Sequence, residues 1–174
     1  MKISACVIVK NEEKNISQWL NNMRQIADEI VVVDTGSTDN TLNILENAEI
    51  TPYHFTWCND FAAAKNYAIQ QATGDWIVFL DADEYFDASS VQRFRTEMSR
   101  YNANKKIGAI MCHLINIDAD NRNKIINTML QMRIFRNSKD IYYKNPVHEQ
   151  LVTKPGKYIM QKNFNLTIMH TGYS

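Results

Sequence analysis

Short apolar runs that alternate with segments of helical length are the feature that most restricts how this chain can fold. Ile3–Val9, Glu29–Val33 and Ile77–Leu80 are predicted strands, and residues 50–57 offer a further one. The segments between these runs carry apolar residues at helical spacing, for example at 60–71. Strands separated by helices pair in parallel through right-handed crossovers. The first half therefore predicts an α/β fold on a parallel sheet.

The second half has a different pattern. After a predicted helix at 89–101, the apolar runs at 108–117 and 127–136 are joined by the polar segment DADNRNKI. Aspartate and asparagine in such a segment favour a turn, so we expect a hairpin there. With 174 residues, the chain is expected to form one domain, with halves at 1–101 and 102–174.

Composition excludes several classes of protein. Lysine plus arginine and aspartate plus glutamate each number 19, which argues against a nucleic-acid binder. No apolar run approaches the ~20 residues of a membrane helix, so we expect no transmembrane segment. The first residues become charged too early for a secretory signal. Three cysteines without CxxC spacing suggest neither a disulfide framework nor a zinc site. We expect a cytoplasmic protein.

Carboxylates follow the apolar run that ends at Leu80. Asp81 and Asp83 stand directly after it, whereas the same Asp-Ala-Asp tripeptide at 118–120 belongs to the predicted turn. In open α/β sheets, ligands bind beyond the carboxyl ends of the strands. The two tripeptides have the same residues, so it is the position after a strand that makes the copy at 81–83 the candidate site.

Two further strands also end in polar residues, at 10–12 and 34–39. A favourable helix dipole explains Glu12 equally well, and a simple turn and cap explains the second segment equally well. Together, however, carboxylates, hydroxyls and free N–H groups suit a nucleotide whose phosphates are neutralised by Mg2+ or Mn2+. The absence of GxGxxG and Walker A motifs disfavours dehydrogenases and P-loop NTPases.

Four segments in this order carry a family resemblance: ACVIVKNEEKNISQWL, IVVVDTGSTDNT, AAAKNYAIQQATGDWIVFLDADE and RIFRN. They resemble the family 2 glycosyltransferases of the GT-A fold. The resemblance implies an α/β, GT-A type fold with a mostly parallel central sheet flanked by helices. Residues 1–101 would form a Rossmann-like half that binds the nucleotide-sugar, and 102–174 a mixed-strand acceptor half. Relatives of this kind often continue into further segments, so the chain is compatible with a catalytic domain of a longer protein.

The resemblance also implies roles for individual residues. The residues expected to bind the nucleotide-sugar, with a UDP-linked donor read by Asp34, are Val9, Glu12, Asp34, Ser37, Lys65, Asp81, Ala82, Arg133 and Arg136. The two arginines are expected to reach the diphosphate or the acceptor, and a solvated strand edge explains them nearly as well. The expected ligands of Mn2+ or Mg2+ are Asp81, Asp83 and His170. Lys65 stands where many relatives carry arginine. The missing Gln-x-x-Arg-Trp motif indicates a soluble, non-processive enzyme. The acceptor is left open among a glycan, a lipid-linked molecule and a protein.

Inverting transfer needs a base that takes the acceptor's proton. Many relatives use an acidic residue in a Glu-Asp pair, which is absent here. Glu149 in NPVHEQL is the nearest candidate, although an exposed charge at a strand end explains it almost as well. Two alternatives stay open. One is a non-catalytic module that binds a nucleotide-sugar or glycan. The other is a nucleotidyltransferase, which is disfavoured because VIVKNEEKN has no glycine.

Overall fold

The computed structural model describes residues 1–172. In chain order its elements are β1 Ile3–Val9, α1 Ile16–Met23, β2 Glu29–Asp34, α2 Thr41–Asn47, β3 Tyr53–His54, α3 Phe61–Gln71, β4 Trp76–Phe79, β5 Glu84–Phe86, α4 Ala88–Ala103, β6 Ile107–Asp118, β7 Lys124–Arg136, β8 Ile141–Lys144, β9 Gln150–Thr153 and β10 Ile159–His170. Eight strands form one sheet in the order β3-β2-β1-β4-β7-β6-β10-β5, and β8 pairs with β9.

The predicted parallel sheet of the first half is confirmed. β1 pairs in parallel with β2 and with β4, and almost every side chain of these strands is buried. Parallel strands covered on both faces lack the alternation of a half-exposed strand, which explains their uninterrupted apolar runs. The α1 residue Trp19 and the α4 residue Phe94 belong to one core cluster, whereas the α3 residues Ala62 and Ala68 belong to the other. The fold class is the one expected, α/β with a mostly parallel central sheet.

The strand predicted at 50–57 is shorter than expected. Only Tyr53 and His54 pair with β2, at the edge of the sheet. Pro52 precedes them and lacks the N–H that a longer ladder would need. The chain then leaves the sheet towards Asn59, whose φ of 59° is left-handed. Residues 55–60 then connect β3 to α3, which begins at Phe61.

The predicted hairpin is confirmed. β6 and β7 are antiparallel, and Asp118 Oδ1 accepts a hydrogen bond from the backbone N–H of Asn121 at 3.1 Å in the connecting turn. β7 also pairs with β4, so a single sheet runs through both halves of the chain. The three-residue β5 was not predicted; it pairs with β10 at the far edge. Among residues 1–172, no helix combines the length and apolar character that crossing a membrane would require.

Candidate functional site: a cleft at the carboxyl ends of the strands

A cleft of about 700 Å³ opens where β1, β2 and β4 end. Because these strands are parallel, the loops that follow them meet at one edge of the sheet. The described residues that line the cleft are Ile8, Val9, Lys10, Glu12, Thr35, Trp57, Phe61, Lys65, Asp81, Ala82, Asp83, Val147, His148 and Glu149. Seven of the predicted site residues are in this set: Val9, Glu12, Lys65, Asp81, Ala82, Asp83 and Glu149.

Asp83 and His170 meet although they lie on distant parts of the chain. His170 ends β10, and its Nε2 is 3.1 Å from Asp83 Oδ2. Its Nδ1 is 2.6 Å from Asn116 Oδ1, and Asn116 in turn donates to Asn127. The amide oxygen of Asn116 thus accepts the Nδ1 proton and directs Nε2 towards Asp83. A second hydrogen bond of this kind is typical of histidines that bind metals.

Gly172 keeps the space beside this pair open. A Cβ atom at residue 172 would lie 2.6 Å from His170 Nε2 and closer still to Asp83 Oδ2. The hydrogen bond to Asp83 is the main cause that raises the pKa of His170, against burial. Within residues 1–172, no three His, Cys, Asp or Glu side chains are grouped as a metal site. An oxygen and an imidazole nitrogen nevertheless suit Mn2+ or Mg2+, whose remaining ligands are commonly water and phosphate oxygens.

Lys65 joins two of the predicted site residues. Its Nζ lies 2.9 Å from Asp81 Oδ1 and 2.7 Å from Glu149 Oε1. The side chain is only 2% exposed, and the rings of Phe79 and Tyr143 flank the ammonium at 5.3 Å. Burial lowers the pKa of Lys65, but Asp81 and the other nearby acidic groups outweigh it, so the pKa lies above its ordinary value. The ammonium therefore stays charged and fixes both carboxylates in the cleft.

Arg133 holds the other oxygen of Asp81. Its NH2 lies 2.8 Å from Asp81 Oδ2 and also donates to the buried Glu84. Burial raises the pKa of Asp81, but Arg133 and Lys65 together bring it well below its usual range. Both carboxylate oxygens of Asp81 are thus bonded to cations, whereas Asp83 faces His170. Arg133 itself is not among the described residues that line the cleft.

Asp34 and Ser37 organise the loop after β2. Asp34 is 4% exposed, and its carboxylate accepts hydrogen bonds from the N–H groups of Gly36 and Ser37 at 3.0 and 3.1 Å. Ser37 Oγ accepts a hydrogen bond from the N–H of Asn11. Neither Asp34 nor Ser37 is among the described residues that line the cleft. The two side chains thereby connect the loops after β1 and β2.

Glu12 lies in the loop between β1 and α1, beside the loop that follows β2. Its N–H donates to Thr41 Oγ1 at 2.8 Å, and its carboxylate accepts from Asn15 at 2.9 Å. Burial is the largest effect on its pKa, which is raised, and Asp83 adds to the rise. Glu12 therefore places a carboxylate at the β1 side of the cleft.

The structure does not bring Arg136 to the cleft. Arg136 pairs in register with Trp76, the first residue of β4, and so lies at the opposite end of that strand from Asp81. Its guanidinium stacks on the Trp76 ring at 4.4 Å, and its Nε donates to Ile107 O. β7 runs antiparallel to β4, and this direction carries Arg136 away from the site. Its guanidinium therefore contributes to the packing around Trp76 and Ile107 and not to the site.

Glu149 reaches the cleft from the turn between β8 and β9. Asn145 and His148 in this turn have left-handed φ values of 77° and 54°. Pro146 O accepts a hydrogen bond from the N–H of Phe61 at 2.9 Å, which ties the turn to the start of α3. The side chain of Glu149 is 20% exposed. A carboxylate in this position lies near Lys65 and within reach of a molecule in the cleft.

Three residues of the site were missed in the sequence. Asn116 could have been noticed as an amide within an apolar strand, and Gly172 as a glycine two residues after the predicted ligand His170. Trp57 lines the cleft from a loop that was predicted to be a strand. Their roles depend on strand register and loop path, which the local sequence does not encode.

Comparison with known proteins identifies the family. The model of glycosyl transferase family 2 matches residues 4–160. The SPbeta prophage-derived glycosyltransferase SunS of Bacillus subtilis is 27% identical over 179 residues, which cover 99% of this chain and 40% of SunS. The chain spans only part of two curated relatives. It covers 35% of the length of a TPR repeat-containing protein of Synechococcus elongatus and 40% of the length of SunS.

Two solved structures extend the comparison. The mannosyltransferase PcManGT from Pyrobaculum calidifontis, in complex with GDP-Man and Mn2+, is 29% identical, with a TM-score of 0.55 over 64% of this chain and 35% of that one. S. aureus TarS 1-349, in complex with UDP-GlcNAc, is 20% identical, with a TM-score of 0.64 over 94% of this chain and 59% of that one. The likeness to TarS shows the fold alone.

Proposed function

Because the chain belongs to glycosyl transferase family 2 and is a glycosyltransferase, we propose that it transfers a sugar from a nucleotide-sugar to an acceptor with inversion, using a divalent cation. The observation that carries this proposal is the cleft itself. It brings Asp83, whose carboxylate contacts His170 behind the lining residues, together with the ion-paired group of Lys65, Asp81 and Glu149. A donor diphosphate and an acceptor nucleophile need these two kinds of group side by side.

Asp83 and His170 would hold the cation. Their oxygen and nitrogen face each other, Asn116 orients the imidazole, and Gly172 leaves room. A bound Mn2+ or Mg2+ supplies positive charge to the diphosphate as it leaves. Asp81 was expected to be a ligand of the cation, but we propose a structural role for it instead. With its oxygens bonded to Lys65 and Arg133, it holds these cations in place and supports the loop that carries Asp83.

Glu149 is the proposed general base. Its carboxylate takes the proton of the acceptor's nucleophilic group while the new bond to the sugar forms. The bond between sugar and diphosphate breaks, and the nucleoside diphosphate leaves. Lys65 positions the carboxylate through the 2.7 Å contact between Nζ and Oε1. The buried ammonium also balances the negative charge of Glu149 before the proton arrives.

The donor's base is open between two classes. PcManGT was solved with GDP-Man and TarS with UDP-GlcNAc. We keep a UDP-linked donor as the first proposal, although Asp34, the residue expected to read uracil, is 4% exposed and its carboxylate already accepts two backbone N–H groups. A screen of UDP- and GDP-linked sugars for hydrolysis, with and without Mn2+, identifies the donor.

Glu149→Gln tests the catalytic role. The base acts in the transfer step, so the variant should lose about 10²–10⁴-fold in kcat while its affinity for the donor stays nearly unchanged. Steady-state transfer and calorimetric titration with the donor measure the two effects. Gln150→Glu is a useful control because it changes charge at the adjacent, exposed position. Unimpaired transfer by Glu149→Gln would place the base elsewhere. Donor binding by the wild type without any transfer or hydrolysis would instead support a binding module.

A further inference from the structure

Asn66 follows Lys65 in the segment AAAKN, but it is not among the described residues that line the cleft. Its side-chain amide contacts the backbone of Tyr143 on β8. Nδ2 donates to the carbonyl oxygen of Tyr143, and Oδ1 accepts a hydrogen bond from the N–H of the same residue, both at 2.8 Å. The amide thus pairs with both backbone groups of one residue, as a neighbouring strand does in a sheet.

The hairpin of β8 and β9 does not join the eight-stranded sheet. Its side chains Ile141, Tyr143 and Leu151 belong to the same core cluster as Ala62 and Ala68 of α3. Apolar packing of this kind is non-directional. It holds the hairpin against α3 without fixing its position along the helix.

Hydrogen bonds from α3 supply that position because they are directional. One bond, from the N–H of Phe61 to Pro146 O, ties the turn of the hairpin to the first residue of the helix. A single bond leaves the hairpin free to pivot. The pair of bonds between Asn66 and Tyr143 removes this freedom, because it attaches β8 to the helix at a second place.

Lys65 and Asn66 are consecutive residues of α3 that bind the two sides of the same turn. Asn66 holds Tyr143 before the turn, and Lys65 Nζ lies 2.7 Å from Glu149 Oε1 after it. A displacement of β8 along α3 would therefore displace the carboxylate of Glu149 as well. A misplacement of about 1 Å can lower the rate of a reaction about 10²-fold.

We propose that Asn66 is a positioning residue for transfer, which fixes β8 on α3 and thereby places the carboxylate of Glu149. The inference rests on the proposed role of Glu149 as the base. An amide suits this task because it donates and accepts at once, whereas an ionised carboxylate only accepts. Asn66 contributes no chemistry, so its whole effect on the rate passes through Glu149.

Asn66→Ala removes both hydrogen bonds and retains the helix, because alanine has the highest helix propensity. We expect kcat to fall about 10- to 100-fold. Affinity for the nucleotide should stay nearly unchanged, because Asp83 and His170 are untouched. Hydrolysis of the UDP- and GDP-linked sugars, with water in place of the acceptor, measures kcat. Calorimetric titration with UDP and GDP in the presence of Mn2+ measures affinity.

Two further variants separate positioning from a general effect on the fold. Gln70→Ala is the matched control and should keep the kcat of the wild type, because Gln70 is an exposed amide on the same helix. Asn66→Gln carries the amide on a side chain longer by one methylene group, so it bonds β8 only after a displacement. It should bind the nucleotide like the wild type and still lose kcat.

The double variant of Asn66→Ala with Glu149→Gln tests whether the effect passes through Glu149. Its kcat should equal that of Glu149→Gln alone, because the losses of residues that act as a unit do not add. Additive losses would overturn the inference, since Asn66 would then support another part of the cleft or the fold.

The remaining outcomes distinguish this inference from the proposed function. Wild-type kcat in Asn66→Ala or in Asn66→Gln, together with a loss in Glu149→Gln, would overturn the positioning role and leave the proposed function standing. A loss of nucleotide affinity as large as the loss of kcat would also overturn the positioning role. If the wild type hydrolyses none of the sugars, the proposed function and the positioning role both fail.

Discussion

Asp81 and Asp83 are separated by one residue, yet they contact different groups. Asp81 is bonded to Lys65 and Arg133, whereas Asp83 meets His170. A buried ammonium and guanidinium without counter-ions would be costly. One aspartate of the pair therefore balances charge within the protein, and the other is available to a ligand. Asp120, in the second copy of the tripeptide, lies in the exposed turn between β6 and β7.

Gly172→Ala should block the cation pair without disturbing the core. The added Cβ would lie 2.6 Å from His170 Nε2, in the space that a cation shared with Asp83 needs. We expect Mn2+ affinity to fall about 10- to 100-fold, as when the support of a metal site is altered. Calorimetric titration with Mn2+ measures this loss, and urea unfolding without metal should change little because Gly172 is exposed. Wild-type affinity in Gly172→Ala would argue against a cation between Asp83 and His170.

At the scale of elements, one carboxylate connects neighbouring strands at the end of the sheet opposite the cleft. Glu29 begins β2 and accepts hydrogen bonds from Ser4 on β1, from the N–H and Oγ1 of Thr73, and from Lys2. Burial raises its pKa, but these donors outweigh burial and lower the pKa to about 2. The ionised carboxylate thus connects β1, β2 and the segment before β4.

Glu29→Gln should remove a pH-dependent part of the stability. A lowered pKa contributes stability above the pKa of the unfolded chain, near 4.5, and this contribution is lost as the pH falls towards about 2. The variant should be less stable on the order of 3 kcal/mol at pH 7. The difference should shrink steadily below pH ~4.5. Urea unfolding at several pH values measures it, with Glu46→Gln as an exposed control on α2. A difference independent of pH would contradict this origin.

At the scale of the whole molecule, much of the fold could be predicted because burial marks its strands. β1, β2 and β4 are covered on both faces, so each leaves an apolar run, and the turn residues at 118–123 mark the hairpin. β5 has three residues and no periodic signal, so it was missed. The edge strand β3 was predicted to be longer than it is, because local composition does not show where the strand stops pairing with β2.

Site residues could be predicted from the sequence where the end of a strand determines their position. Asp81 and Asp83 follow β4 directly, and the family resemblance suggested His170 and Glu149, which the fold brings to the same edge. Arg136 was misplaced because its location depends on the direction of β7 relative to β4. Trp57 and Asn116 depend on a loop path and on the pairing of β6 with β10. Contacts between distant segments of this kind have no local signature.

Ligand binding should stabilise the whole molecule, because the site exists only in the folded chain, where the loop after β4 meets the end of β10 through Asp83 and His170. A ligand that binds only the folded chain at about 100 times its Kd adds about 2.7 kcal/mol. For a chain of this size we expect UDP with Mn2+ to raise Tm by roughly 5–10 °C. Thermal scans with each component alone and with both measure the effect. Asp83→Ala should lose the part that depends on Mn2+, because the variant lacks the carboxylate that faces His170. Asp120→Ala should keep the full rise, since its side chain lies in the hairpin turn. Equal losses in the two variants would mean that the cation does not bind at the end of β4.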